Sequence, residues 1–229
     1  MVQLADGVSD AHAGPGGGPV TAFGRLARGL HPTFELLRAS PPLVTPAVVV
    51  GALSLVTVAA TIPLIRTAYA GRPELLPTVV AGLWLTAGLS PFVALIKGVV
   101  LGGVAWSCLV LTSAEARFRS LVSTLLYAQV FLVLQGTWMT ALLWIHGTAR
   151  LHTPGDMLLP TGLDLWFPDS TTVMGAVAHG VTPFHLAWLI FSAVVIGRLA
   201  HGSQWRGILA ATSLWVLVAG VGVVRAIVT

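Results

Sequence analysis

Ionisable side chains are scarce in this 229-residue sequence: Asp, Glu, Lys and Arg make up 9% of it, against about a quarter in an ordinary soluble domain. Hydrophobic residues make up 55%. So little charge cannot clothe a water-facing surface, and the composition points to a single integral membrane domain. Cysteine is nearly absent as well. Cys108 stands alone inside an apolar run, which excludes an intrachain disulfide and a thiolate metal site. Lysine is reduced to Lys97; the other basic residues are arginines, scattered at the ends of apolar runs. Nucleic-acid binding needs a clustered basic face, so the net charge of +4 is better read as membrane topology and headgroup contact. Arg in place of Lys, with abundant Ala, Gly and Val, suggests a GC-rich bacterial genome and hence the bacterial cytoplasmic membrane. Phosphate-loop, nucleophile and zinc-protease motifs are also missing, so nothing supports an enzyme and no cofactor is expected.

What the chain has is long apolar runs. The clearest is FRSLVSTLLYAQVFLVLQGTWMTALLWI over 118–145, with no ionisable group after Arg119 except Tyr127. At about 1.5 Å per residue, 120–145 crosses a hydrocarbon core of roughly 30 Å as a helix. Arg117 and Arg119 precede it, whereas 147–180 holds Asp156, Asp164 and Asp169 against Arg150. Basic loops stay cytoplasmic, so this span is expected to run from inside to outside.

The same logic orders the rest. Residues 1–19, with GPGGGP at 14–19, bury too little apolar surface to offset chain entropy and are expected to form a disordered tail. They lack the apolar core of a signal peptide, so the first span is expected to remain uncleaved. Residues 20–44 place Val20, Phe23, Ala27 and Leu30 at helical spacing with Arg25 and Arg28 on other faces. This reads as an amphipathic segment on the cytoplasmic membrane surface or packed on the bundle's inner end. Five spans are predicted over 45–65, 91–112, 120–145, 181–199 and 208–227, an all-α transmembrane bundle occupying 45–229. The run 75–112 would be about 57 Å as one helix, so Ser90-Pro91 is taken as a break, leaving 75–89 as an interfacial or re-entrant helix. Trp166 and Phe167 suit an interfacial dip in the outer loop. The N-terminus is then cytoplasmic and the C-terminus outside. Arg25, Arg28, Arg38, Arg117, Arg119, Arg198 and Arg206 fall inside; Arg66, Arg72, Arg150 and Arg225 fall outside.

Few residues carry candidate chemistry. Lys97 lies within a span, where a charge marks a relay or an anionic partner. The alternative is that it sits about two turns from the outer end of span two and snorkels to the interface. No acidic residue lies in a span to pair with it. Tyr127, Gln129, Gln135, Thr137 and Thr140 either line a polar pathway in span three or bond to neighbouring helices. His146, His152, His179 and His185 fall near the outer face, yet a long loop separates them and they show no metal-ligand spacing. Gly98 and Gly102, then Gly207 and Ala211, have the small-xxx-small spacing that permits close helix approach. Arg117, Arg119, Arg198 and Arg206 set topology.

His31-Pro32-Thr33-Phe34, Ala39-Ser40-Pro41-Pro42 and Phe118-Arg119, followed by Val181-Thr182-Pro183-Phe184-His185-Leu186-Ala187-Trp188, Gly197-Arg198 and Trp205-Arg206-Gly207, together resemble the Yip-one domain family, in its bacterial form. The resemblance covers nearly all of the chain after residue 20 and implies five closely spaced helices with a cytoplasmic N-terminus. It implies a non-enzymatic membrane organiser, accessory subunit or assembly factor. Such a protein would work through the lipid bilayer, other membrane proteins or a second copy of itself. The small-GTPase binding of eukaryotic relatives does not transfer, since their long cytoplasmic N-terminal region is missing. A small transporter using Lys97 and the polar face of span three is the competing expectation.

Overall fold

The computed structural model describes Leu37, residues 40–147, positions 151, 153, 157, 162 and 178, and residues 181–200 and 204–228, with side chains of the last helix followed to Gly220. The expected tail (1–19), most of the amphipathic segment (20–44), and the outer-loop residues Trp166 and Phe167 lie outside the described residues. The described residues are all-helical. The helices are α1 (Val44–Ala68), α2 (Leu76–Leu111), α3 (Phe118–His146), α4 (Pro183–Leu199) and α5 (Gln204–Val228). Among them α1, α2 and α3 are long and apolar enough to cross a membrane, and α4 is a shorter apolar helix of 17 residues.

One expectation fails. There is no break at Ser90-Pro91: α2 is a single 36-residue helix with Pro91 inside it, so 75–89 does not form a separate interfacial or re-entrant helix. Proline at 91 removes the amide that would bond the Ala87 carbonyl. Ser90 Oγ donates to that carbonyl at 2.7 Å, so the freed group is satisfied without ending the helix. The ring also needs space beside it, and α1 provides this with glycine. A Cβ on Gly51 would lie 2.6 Å from Pro91 Cγ.

The ends of α2 are defined with equal economy. At its C-terminus Ser113 takes φ 54°, and the amides of Ser113 and Ala114 return to the carbonyls of Val110 and Leu109. That is the Schellman closure, completed by burial of Leu109 and Ala114 in one cluster. The chain can then reverse into α3 within a few residues.

Contacts fix the relative directions. Ala94 meets Gln129, Gly98 meets Leu126 and Gly102 meets Val122, so α2 and α3 are antiparallel. Thr57 pairs with Thr137 at 2.7 Å and Thr61 with Thr140 at 2.9 Å, so α1 and α3 run parallel. Gln135 meets Thr182 and the Phe131 ring packs tilted against Phe191 with centroids 5.6 Å apart, making α4 antiparallel to α3. Helix α3 is therefore central, touching α1, α2 and α4, while α5 packs on α4 and α2. Its first turns are buried almost all round, from Ser120 to Leu126. One core cluster joins Leu101, Ala105 and Leu109 of α2 to Leu121 and Leu125 of α3, Trp188 and Ile196 of α4, and Leu214 of α5. A smaller one joins Val50, Ala94, Val122 and Leu126 on the α1 side.

Candidate functional site

The arrangement leaves a cavity of about 650 Å³ to which all five helices contribute. Val50 and Ser54 come from α1; Thr86, Ser90, Ala94 and Lys97 from α2; Gln129 and Val133 from α3; His185 and Trp188 from α4; and Trp215 from α5. The wall is mainly apolar with a few polar groups, the usual make-up of a small-molecule site. Exposed Val93, Ile96 and Val100 of α2 and Leu217 and Val218 of α5 also line it. Lys97 and Thr86 are exposed as well, so the opening between α2 and α5 is rimmed by apolar side chains with the one cation among them.

Continuity of α2 changes the position of Lys97. It is not two turns from a helix end: about 32 Å of helix precedes it and about 21 Å follows. It lies in the middle third of a helix that is longer than the roughly 30 Å hydrocarbon core, and its side chain is exposed. Its ammonium has no hydrogen bond or ion pair among the described residues, and the cavity wall contains no carboxylate.

The expected polar face of α3 divides in two. Gln129 is buried, donates from Nε2 to the Ala94 carbonyl at 3.0 Å, and shares the cavity with Lys97. Thr137 and Thr140 face the other way, into the α1 seam, where each pairs with an α1 threonine. Gln135 does not line the cavity and accepts from Thr182 Oγ1 at 3.3 Å. Tyr127 is half-buried and does not line the cavity.

Two residues of α4 were not expected in a shared wall. Trp188 is 2% exposed, and its indole Nε1–H has no acceptor. A buried donor left unpaired is costly. His185, expected at the outer face, has turned into the wall. Thr182, the N-cap of α4, is buried and contacts His185 Nδ1 at 2.8 Å while accepting from its backbone amide at 3.3 Å. The signal available was the Thr-Pro cap itself, since residue 185 lies within reach of the capping side chain. Of the other histidines, His146 is exposed at the end of α3, and His152 and His179 lie outside the described residues. Among the described residues no three His, Cys, Asp or Glu side chains converge.

The small residues sit at close approaches. A Cβ on Gly98 would lie 3.0 Å from Leu126, and one on Gly102 would lie 2.8 Å from Val122. One on Gly207 would strike the Ala193 carbonyl and come within 2.7 Å of Gly197 Cα, and Ala211 is fully buried. Arg117 and Arg119 at the start of α3, Arg198 at the end of α4 and Arg206 at the start of α5 gather at one end of the bundle. Arg66 and Arg72 lie at the other, around the turn between α1 and α2.

Comparison of the chain with protein-family models, with curated proteins and with solved structures finds no match.

Proposed function

We propose that this chain is a five-span, non-enzymatic protein of the bacterial cytoplasmic membrane that holds a bilayer-dwelling amphiphile in its intramembrane cavity. It would act as a Yip-like organiser, accessory subunit or assembly factor through lipid and protein contacts. The observation that carries this reading is the cavity itself: a largely apolar space at mid-helix depth, open beside exposed valines and leucines, with one cation in its wall. A water-borne ligand would have to cross the hydrocarbon to reach such a mouth, whereas a lipid is already there. The four arginines at the end shared by the start of α3 and the end of α4 favour that end as cytoplasmic. This orientation leaves the N-terminus inside and the C-terminus outside.

The test is purification of the tagged full-length protein from its native membrane in mild detergent, followed by mass spectrometry of copurifying lipids and proteins. A stoichiometric lipid, with or without a stoichiometric protein partner, is the expected result. Lipid-free protein would refute it. Transport remains a second proposal, favoured by one observation, that Lys97 and Gln129 share the cavity. It requires that Lys97→Leu abolish flux in proteoliposomes; flux equal to wild type would remove Lys97 from any such pathway.

A further inference from the structure

Exposed aromatics fix the depth of α2 in the bilayer. Trp84 and Trp106 of α2 are both exposed and lie about 33 Å of helix apart. Helix α3 repeats the pattern. Its antiparallel register on α2, set by Ala94 against Gln129 and Gly98 against Leu126, puts exposed Trp138 and Trp144 near the level of Trp84. The same register puts exposed Phe118, with Arg119 beside it, near the level of Trp106. Tryptophan gathers at both membrane–water interfaces, and the separation matches a hydrocarbon core of about 30 Å. On this scale Lys97 lies about 14 Å from the plane of Trp106 and about 20 Å from that of Trp84. The four-carbon stem of a lysine covers less than half of the shorter distance.

A cation left at that depth is expensive, and the five helices do not supply its partner. Lys97 has no ion pair among the described residues, and no Asp or Glu occurs anywhere in α1–α5. A second copy of the chain has the same helices and so brings no carboxylate to this level. A lipid phosphate sits outside the hydrocarbon, beyond the reach of the stem. A carboxylate on the transmembrane helix of another protein sits at whatever depth its own sequence sets. The surface around Lys97 suits such a helix. Val93 and Val100, about one turn to either side of it on α2, are exposed, and exposed Leu217 and Val218 of α5 line the other side of the opening. These rim residues are distinct from the interior of the cavity, where Gln129 and Trp188 are buried. We propose that the groove between α2 and α5 docks a transmembrane helix of a different protein, one with an Asp or Glu at the depth of Lys97 and apolar residues on either side of it. The apolar flanks fill the groove, and the carboxylate pairs with the ammonium.

The experiment is photocrosslinking of the full-length protein in its native membrane, with benzoylphenylalanine in place of Val100. The product is expected to contain a second membrane protein with an Asp or Glu near the middle of a spanning segment. The same probe in place of Val56, exposed on α1, is expected not to capture that protein. Lys97→Leu is expected to lower the yield about tenfold, while Lys97→Arg keeps it. Lys97→Glu is expected to abolish the product, and lysine in place of the partner's carboxylate to restore it, a rescue that a misfolded variant could not show.

A protein product that survives Lys97→Leu, or that lacks an intramembrane carboxylate, would overturn the charge pairing. Products of lipid alone would overturn the proposal in favour of a lipid phosphate drawn to Lys97. Products of a second copy alone would overturn it in favour of self-association. Of the proposed function this inference takes only the accessory-subunit part, and lipid weighed by mass spectrometry in the same preparations separates the two. Lipid-loaded protein without a Lys97-dependent product keeps the cavity reading and overturns the docking surface. A Lys97-dependent product on lipid-free protein does the reverse.

Discussion

Gly207→Ala isolates the contact on which the α4–α5 pairing depends. The added methyl would meet backbone on both sides, the Ala193 carbonyl and, at 2.7 Å, Gly197 Cα. Backbone in the C-terminal half of α4 cannot rotate away as a side chain would. Ordinary contact begins near 3.4 Å, so the two helices must part by about 1 Å along this seam. Separation strips dispersion contacts from fully buried Ala210, Ala211 and Leu214 as well as from position 207. Overpacking costs about 1–3 kcal/mol, and a rigid backbone neighbour places this case near 3 kcal/mol. The opposite sign is expected at Gly103 of α2, where a Cβ would meet nothing within 4 Å. There alanine's better helix propensity should stabilise by about 0.5–1 kcal/mol. Steric trapping of the full-length protein in bicelles measures both free energies on one scale. A Gly207→Ala variant within about 0.5 kcal/mol of wild type would refute the claimed close approach, whatever Gly103→Ala does.

Further consequences follow from other local features. Ser90→Ala leaves the Ala87 carbonyl unpaired at Pro91 and should cost about 1 kcal/mol by the same assay, with no loss expected if Pro91 is first replaced by Ala, which restores the amide. Gly51→Ala should destabilise by about 1–2 kcal/mol through its contact with the Pro91 ring. The Pro91→Ala background should remove most of that cost, so additivity in the double-mutant cycle would contradict the packing. Ser113→Gly should stabilise by about 1 kcal/mol, because the left-handed position closing α2 is strained for serine; a lower stability would count against that closure. In a Cys108→Ser background, Glu74→Cys and Ser113→Cys should react with a membrane-impermeant maleimide from opposite faces, and labelling from the same face would show that α2 does not cross once.

The helices of this chain were legible because hydrophobic runs bounded by arginine and proline state directly what can live in hydrocarbon. The expected 120–145 became Phe118–His146 and 45–65 became Val44–Ala68, shifts of a residue or a turn. The Ser90-Pro91 break was misread because local rules weigh a proline only against its own helix. A serine one position earlier took over the orphaned carbonyl, and a glycine in another helix made room for the ring. Lys97 was visible as the one charge well inside a span. Its place along its helix was not, since that depended on whether α2 was one helix or two.

What the sequence determined by itself is therefore that the chain is apolar enough for a membrane, where most of its helices run, and the end at which Arg117, Arg119, Arg198 and Arg206 collect. Each of these follows from the transfer cost of individual side chains, a property that adds along the chain. Only the tertiary structure decided that Lys97, Gln129, His185 and Trp188, drawn from three helices, share one wall, while Thr137 and Thr140, on the same helix as Gln129, turn to α1 instead. Convergence of that kind depends on the rotation and register of packed helices. Those are set by where glycines let backbones touch, and no single stretch of sequence contains that information.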